Sequence, residues 1–285
     1  MCIIANEVKH ISNTQILIGI NRDKNIQYTI YSNNVENEVP NAMILPVPYP
    51  QSVKFHDLSL YENLFRDCEY SFPRPQKLTL SPDTKSATKS ATKILEVISV
   101  GSYKVSLAMT LSDIKLVDKT IFVLDDECEK VLQNYPDNFG FVICVLDIGK
   151  ESYHPFGYSH QIMEEGKIFI PTKHFHKHSY KNGIFGKAIG VYNDYMANDW
   201  DHDIYLCNCA LDTGIGKYTW DGFNHLSKIK LMWANIHFDK MNWFEKIHIN
   251  GTYKNVDLYA EIVSQLIQRA KAEQDENGKW HTIFY

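Results

Sequence analysis

The chain has 285 residues, of which 44% are hydrophobic and 13% aromatic, and a formal net charge of −5 at pH 7. This composition excludes a mainly disordered chain. The acidic balance, with lysine and arginine scattered along the sequence, argues against a nucleic-acid partner. No apolar run reaches the length of about 20 residues that a membrane-spanning helix needs, so we expect no membrane partner.

The first residues, Met1–Glu7, lack the basic and apolar regions of a signal peptide. We therefore expect a cytoplasmic protein, with a place in a virion as an alternative. The six cysteines stand mostly alone in the sequence, which is typical of reduced thiols rather than of a disulfide framework. The partners left open are a second copy of the chain and a larger assembly.

Strands are predicted where β-branched and aromatic residues are concentrated. In the first half of the chain these segments are Gln15–Ile20, Ile26–Ser32, Ala42–Val47, Ile94–Val100, Tyr103–Met109 and Phe139–Asp147. In the second half they are Lys167–Pro171, Asp203–Leu211 and Lys246–Tyr253. Because proline cannot donate to a ladder, Pro46 and Pro48 are expected to end strand pairing in the third segment.

Helices are predicted where apolar residues recur at helical spacing. The segment Phe223–Trp233 is ambiguous, although its periodicity favours a helix, and the predicted helices are Leu58–Cys68, Asp125–Tyr135 and Leu258–Ala272. The last has the clearest apolar stripe, formed by Leu258, Ile262, Leu266 and Ile267. The predicted fold class is therefore α+β, with a mostly antiparallel sheet core and a few packed helices.

A short Lys-Ser-Ala-Thr repeat lies within residues 81–93 and has almost nothing to bury. Predicted strands flank it closely on the C-terminal side. We therefore expect a single domain over residues 1–285, with a low-complexity loop insertion at about residues 81–93.

A cluster of histidines is the first candidate site. If the strand that begins at Lys167 continues past Pro171, then His174, His176 and His178 share one face at intervals of about 6.6 Å. Two imidazoles at that spacing can bind one divalent transition metal, with a third ligand from a neighbouring strand. The lysines at positions 173 and 177 oppose such a site unless they point away.

The third ligand is expected from the segment Asn198–Asp203. In an extended strand Asp201 and Asp203 share one face and His202 takes the other. Either the acids or the histidine would therefore join the metal site. The alternative interpretation is a solvated loop of histidine and lysine beside a polar turn.

Cys2 is the second candidate. Removal of Met1 would expose it as an N-terminal nucleophile, and its own α-amine, which titrates near ~7.7, can act as base. If Cys2–Val8 pairs with Gln15–Asn21, then Cys2 lies opposite Asn21 and Arg22. Arg22 would lower the pKa of the thiol, and Asn21 would donate to an oxyanion. The alternative is a small buried residue at the start of a strand.

Two resemblances accompany these patterns. The opening Met1-Cys2-Ile3-Ile4, with the later Asn21-Arg22-Asp23, resembles the start of N-terminal-nucleophile proteins that carry an Asn-Arg-Asp-Glu motif, although Lys24 stands in place of the glutamate. The segment Asn41–Pro48, with Leu60–Phe65 after it, is similar to a family of uncharacterised bacterial proteins that usually carry a secretion signal. The second resemblance implies one continuous domain and no particular activity.

Three functions follow as hypotheses. The first is a protein with a metal site at His174, His176 and Asp201 or His202, in which the ion would activate water for hydrolysis. The second is a structural or interaction protein, such as an assembly or virion subunit. The third is an N-terminal cysteine hydrolase. No cofactor other than a divalent transition metal is indicated.

Overall fold

The structure is a computed structural model of the chain. It describes residues 3–22, 24–70, 96–117, 121–149, 153–178, 198–208, 243–253, 255–263, 266–267, 270–274 and 280–284. More than half of these residues lie in strands, and the helices are short. The α+β prediction is therefore wrong, because large sheets rather than packed helices make up most of the regular structure.

The strands in the described residues are numbered along the chain. The first nine are β1 (Ile3–Val8), β2 (His10–Asn21), β3 (Ile26–Glu36), β4 (Asn41–Pro48), β5 (Lys54–His56), β6 (Ile98–Val100), β7 (Tyr103–Ala108), β8 (Phe139–Leu146) and β9 (Phe156–Gln161). The others are β10 (Lys167–Ile170), β11 (Phe175–His178), β12 (Asn198–Asn208), β13 (Trp243–Tyr253), β14 (Leu258–Val263), β15 (Leu266–Ile267), β16 (Ala270–Gln274) and β17 (Trp280–Phe284).

Two six-stranded sheets form the body of the protein. The first has the order β11-β1-β4-β8-β7-β6, and the second has the order β13-β12-β2-β3-β9-β5. Each sheet contains one parallel pair, β1 with β11 and β12 with β2, and its other neighbours are antiparallel. A three-stranded sheet (β10-β14-β15) and the hairpin of β16 and β17 complete the described strands.

Alternating residues of the two large sheets face each other and form the main core. Ile4 and Val142 come from the first sheet, and Ile18, Tyr31 and Leu206 come from the second. All five side chains are at most 2% exposed. Side chains that alternate along a strand point to opposite faces, so each strand also supplies the outer face of its sheet.

Short helices cover these outer faces. The helix α1 (Leu64–Tyr70) packs on the second sheet, where Phe65 and Cys68 contact Leu17 and Tyr205. The helices α2 (Leu111–Ile114) and α3 (Asp126–Leu132) pack on the first. The helix α3 begins where it does because the Asp125 side chain accepts hydrogen bonds from the N–H groups of the first turn. In the described residues no helix is long and apolar enough to cross a membrane.

The helix predicted over Leu258–Ala272 is wrong. This segment forms β14, β15 and the start of β16, and β14 pairs with β10 from Lys167↔Glu261 to Ile170↔Leu258. The apolar spacing fits a helix as well as a strand, and only pairing with a distant strand decides between them. Pairing with β10 places Leu258 in the main core, where it is 5% exposed.

Several other predictions are confirmed. The strands β2, β3 and β8 and the helix α3 lie where the pattern placed them, and the predicted helix Leu58–Cys68 is present in part as α1. The expectation that Pro46 and Pro48 end strand pairing is wrong, since pairing of β4 with β8 continues through Pro46↔Phe141 to Pro48↔Phe139. The repeat at 81–93 and the ambiguous segment Phe223–Trp233 lie outside the described residues.

Candidate functional site

Three buried histidines meet between the two large sheets. The ring centroids of His174 and His176 are 5.9 Å apart, and those of His174 and His202 are 6.2 Å apart. The exposed fractions of the three residues are 0%, 5% and 0% in chain order. Histidine is seldom fully buried, and three such residues in contact mark this position as the candidate site, which we call the histidine cluster.

Strand pairing places the histidine cluster beside the start of β1. Phe175, which separates His174 from His176, is the register partner of Ile3 in the parallel pair of β11 and β1. His202 enters from the second sheet, where it pairs with Thr14 of β2. The three histidines therefore come from two segments, the start of β11 and β12, and each of these strands pairs with a strand near the start of the chain.

A second loop holds the backbone of His174 in place. The N–H of His174 donates to Asn255 Oδ1 at 2.9 Å, and Asn255 Nδ2 donates to the carbonyl oxygen of His174 at 2.6 Å. The Thr172 hydroxyl donates to the carbonyl of Val256 at 3.0 Å and accepts from the N–H of Leu258 at 3.0 Å. These hydrogen bonds fix the position of residues 172–174, which directly precede β11.

The half-buried Asp257 extends this anchor. Asp257 accepts hydrogen bonds from the N–H of Lys173 at 2.8 Å and from the Tyr135 hydroxyl at 2.6 Å. Burial raises the pKa of Asp257, and the hydrogen bonds from Tyr135 and Lys173 oppose that effect. Burial and the nearby Asp257 raise the pKa of Tyr135 well above 10, so its hydroxyl stays protonated and donates.

The electrostatics at His202 favour a neutral imidazole. Burial lowers the pKa of His202 well below its ordinary value, and the charge of the amino terminus and His174 lower it further. A neutral imidazole has one ring nitrogen with a lone pair, which can accept a proton or bind a metal ion. His202 therefore carries the protonation state that both base catalysis and metal binding need.

The structure brings His202, rather than the neighbouring acids, to His174. The Asp203 carboxylate belongs to a separate network, where it lies 2.9 Å from Lys246 Nζ and 2.8 Å from His248 Nδ1. The side chain of Asp201 lies outside the described side chains, although its backbone is part of β12. Of the two alternatives for a third ligand, the geometry therefore favours the histidine.

No group of three or more histidine, cysteine, aspartate or glutamate side chains has metal-binding geometry within the part of the chain that the structure describes. The rings of His174, His176 and His202 would have to turn toward one point to share an ion. Lys173 does not stand in the way, because its Nζ lies over the Tyr135 ring, 5.3 Å from the centroid.

Asn21 and Arg22 lie away from the histidine cluster. The strand β1 pairs with β4 and β11, while β2 pairs with β3 and β12, so the two segments expected to pair do not. Thr14 of β2 pairs with His202 of β12. Asn21 is seven residues farther along β2, so its backbone lies roughly 23 Å from that of Thr14. The Asn21 carbonyl oxygen Oδ1 instead accepts from the N–H of Lys24 at 3.0 Å and closes the turn to β3. Cys2 lies outside the described residues.

Sequence reasoning missed the residues that anchor the cluster. Thr172, Asn255 and Asp257 carry no spacing or periodicity that marks them, because their partners lie more than 80 residues away. A scan against protein-family models finds no match, and no solved structure matches the chain.

Proposed function

We propose that the protein is an N-terminal cysteine hydrolase in which Cys2 is the nucleophile and the histidine cluster supplies the general base. The observation that carries this proposal is the register of β1 and β11, since Ile3 lies opposite Phe175, between His174 and His176. The opening Met1-Cys2-Ile3-Ile4, which resembles N-terminal-nucleophile proteins, supports it independently.

Chain connectivity limits how far Cys2 can be from the cluster. Consecutive Cα atoms are about 3.8 Å apart, and neighbouring strands are about 4.8 Å apart. Cys2 directly precedes Ile3, and His174 directly precedes its register partner Phe175. In the proposed enzyme the Cys2 thiol is therefore expected to reach the imidazole of His174.

The proposed reaction is acyl transfer from an amide or ester. A neutral imidazole takes the thiol proton, and the thiolate attacks the substrate carbonyl carbon to form a tetrahedral intermediate. The intermediate collapses to a thioester, and the amine or alcohol leaves with the proton that the imidazolium returns. Water, deprotonated by the same imidazole, then cleaves the thioester and restores the thiol.

The first experiment follows alkylation of Cys2 by iodoacetamide, residue by residue, with peptide mass spectrometry. Cys68, Cys128, Cys144 and Cys207 are buried, so they are expected to react slowly in the folded protein. Cys2 is expected to react at pH 7 about tenfold faster than free cysteine, and His202→Gln is expected to remove most of this advantage. His10→Gln, which changes an exposed histidine, is the matched control and should leave the rate unchanged.

Intact mass and an ester substrate complete the test. The proposal requires that Met1 is absent from the purified protein and that p-nitrophenyl acetate acylates one residue per chain, which mapping places on Cys2. Retained Met1 would rule the proposal out. So would an alkylation rate at Cys2 equal to that of free cysteine in both the wild type and His202→Gln.

The histidine cluster supports one second candidate, a site for a divalent transition metal that activates water. His174, His176 and His202 would offer neutral imidazoles, and the thiolate of Cys2 would offer a fourth ligand. Elemental analysis of the untagged protein, beside a His174→Ala/His176→Ala double variant, tests it. Stoichiometric zinc, iron or manganese in the wild type alone favours this candidate, and no bound metal after challenge with those ions rules it out.

A further inference from the structure

The half-buried His154 fastens a hairpin of the first sheet to the second sheet. It lies just before β9 of the second sheet and contacts the turn between β6 and β7 of the first. The N–H of Ser102 in that turn donates to His154 Nε2 at 2.9 Å. The Tyr103 hydroxyl donates to the carbonyl oxygen of His154 at 2.7 Å. One histidine residue thus bonds to the hairpin through both its ring and its backbone.

The hydrogen bonds of His154 determine the protonation state of its ring. Nδ1 lies 2.8 Å from the carbonyl oxygen of Pro155, and a carbonyl only accepts, so Nδ1 carries a proton. Nε2 accepts from a backbone N–H, so it keeps its lone pair. The ring is therefore the neutral imidazole. A second proton can bind only at Nε2, and it breaks the bond to Ser102, because two donors cannot share a hydrogen bond.

A carboxylate faces the same nitrogen of His154. A Cβ added at Gly101, in the turn between β6 and β7, would lie 2.4 Å from His154 Nε2 and 2.9 Å from Asp57 Oδ1, so both atoms border the same small space. Hydrogen bonds from Ser59 lower the pKa of Asp57, and the attraction of His154 lowers it further. Asp57 is therefore ionised at the pH where a histidine ordinarily titrates, near ~6.5.

Aromatic groups surround the rest of the His154 ring. The Tyr103 ring meets it edge-on with the centroids 4.9 Å apart, and Tyr103 stacks on Tyr153 at 5.2 Å. Burial raises the pKa of Tyr153 above its ordinary value, so its hydroxyl is uncharged at neutral and acidic pH. Asp57 therefore supplies the charge that an imidazolium at this position meets.

We propose that His154 is a proton-operated latch on the β6–β7 hairpin. At neutral pH its Nε2 accepts from the Ser102 N–H and holds the turn against the second sheet. On protonation, Nε2–H donates to the Asp57 carboxylate instead, and the Ser102 N–H turns to solvent. The hairpin then loosens.

The position of β6 in the first sheet explains why this hairpin can respond. Among the described strands β6 is an edge strand and pairs with β7 alone. The hairpin also supplies Val100, Tyr103 and Val105 to the main core. Release of the latch in acid therefore exposes apolar surface at this edge of the sheet.

NMR spectroscopy of protein labelled with 15N tests the latch in a pH series from about pH 8 to about pH 5. Above the midpoint, His154 should be the Nδ1–H tautomer, and the Ser102 amide should shift with the same midpoint as the ring. Asp57→Asn should lower that midpoint by about 0.5 pH unit or more, because it removes the charge that favours the imidazolium. The matched control is Asp137→Asn, an exposed acid in the turn before β8, which should leave the midpoint unchanged.

Hydrogen–deuterium exchange, corrected for its intrinsic dependence on pH, measures whether the hairpin loosens. The amides of β6 and β7 should exchange about tenfold faster below the midpoint than above it, with β3 as the internal reference. His154→Gln should remove this pH dependence, because its side-chain oxygen can accept from Ser102 and does not titrate. The proposal is overturned if the Ser102 amide does not follow the titration of His154, or if His154→Gln keeps the pH dependence of the wild type.

Discussion

Asn255 and His174 exchange two hydrogen bonds, at 2.9 Å and 2.6 Å, across two loops that are 81 residues apart in the chain. Both residues are buried, at 8% and 0% exposure. His174 directly precedes β11, so its backbone has no neighbouring strand to pair with. The side-chain amide of Asn255 takes that role, because it bonds both the N–H and the carbonyl of His174. A residue with no catalytic chemistry of its own thereby sets the position of the histidine cluster.

Asn255→Ala should lower the free energy of unfolding by about 2–4 kcal/mol, because it leaves two buried backbone groups of His174 without partners. Asn255→Asp should cost at least as much, since a carboxylate still accepts from the N–H but sets a second oxygen against the buried carbonyl of His174. Urea-induced unfolding at pH 7 measures both. Asn134→Ala is the control, as this exposed asparagine also donates to backbone carbonyls and should change stability by less than about 1 kcal/mol. Equal effects of Asn255→Ala and Asn134→Ala would show that the two hydrogen bonds between Asn255 and His174 do not stabilise the fold.

Gly140→Ala should destabilise the protein by about 2–3 kcal/mol for a steric reason. A Cβ at this position would lie 2.4 Å from Pro50 Cβ and 2.6 Å from the carbonyl oxygen of Ala108, so β8 would have to move away from both neighbours. Thermal unfolding followed by circular dichroism measures the loss.

Gly149→Ala separates this steric effect from backbone strain. Gly149 has a φ of +72° with no atom within 4 Å of the added Cβ, so the change should cost only about 1 kcal/mol. A larger loss for Gly149→Ala than for Gly140→Ala would contradict the packing around Pro50.

Lys246→Met should destabilise the protein by about 3 kcal/mol. The Lys246 ammonium lies 2.6 Å from Glu69 and 2.9 Å from Asp203, and its side chain is only 10% exposed. Its removal leaves two carboxylates close together with little solvent. Chemical denaturation at low and at high salt measures the loss, which should persist at high salt because buried pairs are weakly screened.

Lys9→Met is the matched control for this network. The side chain of Lys9 is 48% exposed and pairs with Glu36 at the surface, so its loss should cost less than about 1 kcal/mol. If Lys246→Met proves as mild as Lys9→Met, the charged network does not stabilise the fold.

Acid should destabilise the protein through His160. Burial lowers the pKa of this imidazole to about 4 in the folded protein, while an unfolded histidine titrates near ~6.5. The unfolded chain therefore binds the proton first, and stability falls as the pH falls from about 6.5 to about 4, by at most about 3 kcal/mol. The lowered pKa of His202 acts in the same direction.

The free energy of unfolding measured against pH tests this prediction with His160→Phe. The variant should lose less stability than the wild type between pH 7 and pH 4, whereas His10→Gln, at an exposed position, should follow the wild-type curve. Identical slopes for the wild type and His160→Phe would show that His160 takes up its proton equally in both states.

Local patterns were sufficient for elements that depend on near neighbours. The helix α3 has its capping aspartate and acidic first turn in the sequence, and β8 is a continuous apolar run that must be covered on both faces. The same patterns failed at Leu258–Ala272, where an apolar spacing of three and four residues favoured a helix. There the partner strand β10 lies about 90 residues upstream, and no local signal identifies it.

The sequence by itself determined which residues have the chemistry for a site: the histidines at 174 and 176, the alternative of His202 or the acids beside it, and Cys2 at the start of the chain. Only the tertiary structure decided which of them meet. It set His202 rather than Asp203 against His174, directed the turn of Asn21 and Arg22 to the far end of β2, and placed the start of β1 beside the cluster. The physical reason is that alternation along a strand decides locally which side chains share a face of the sheet. The two parallel pairs that define the site instead join segments more than 170 residues apart. Their register follows from the burial of whole sheets.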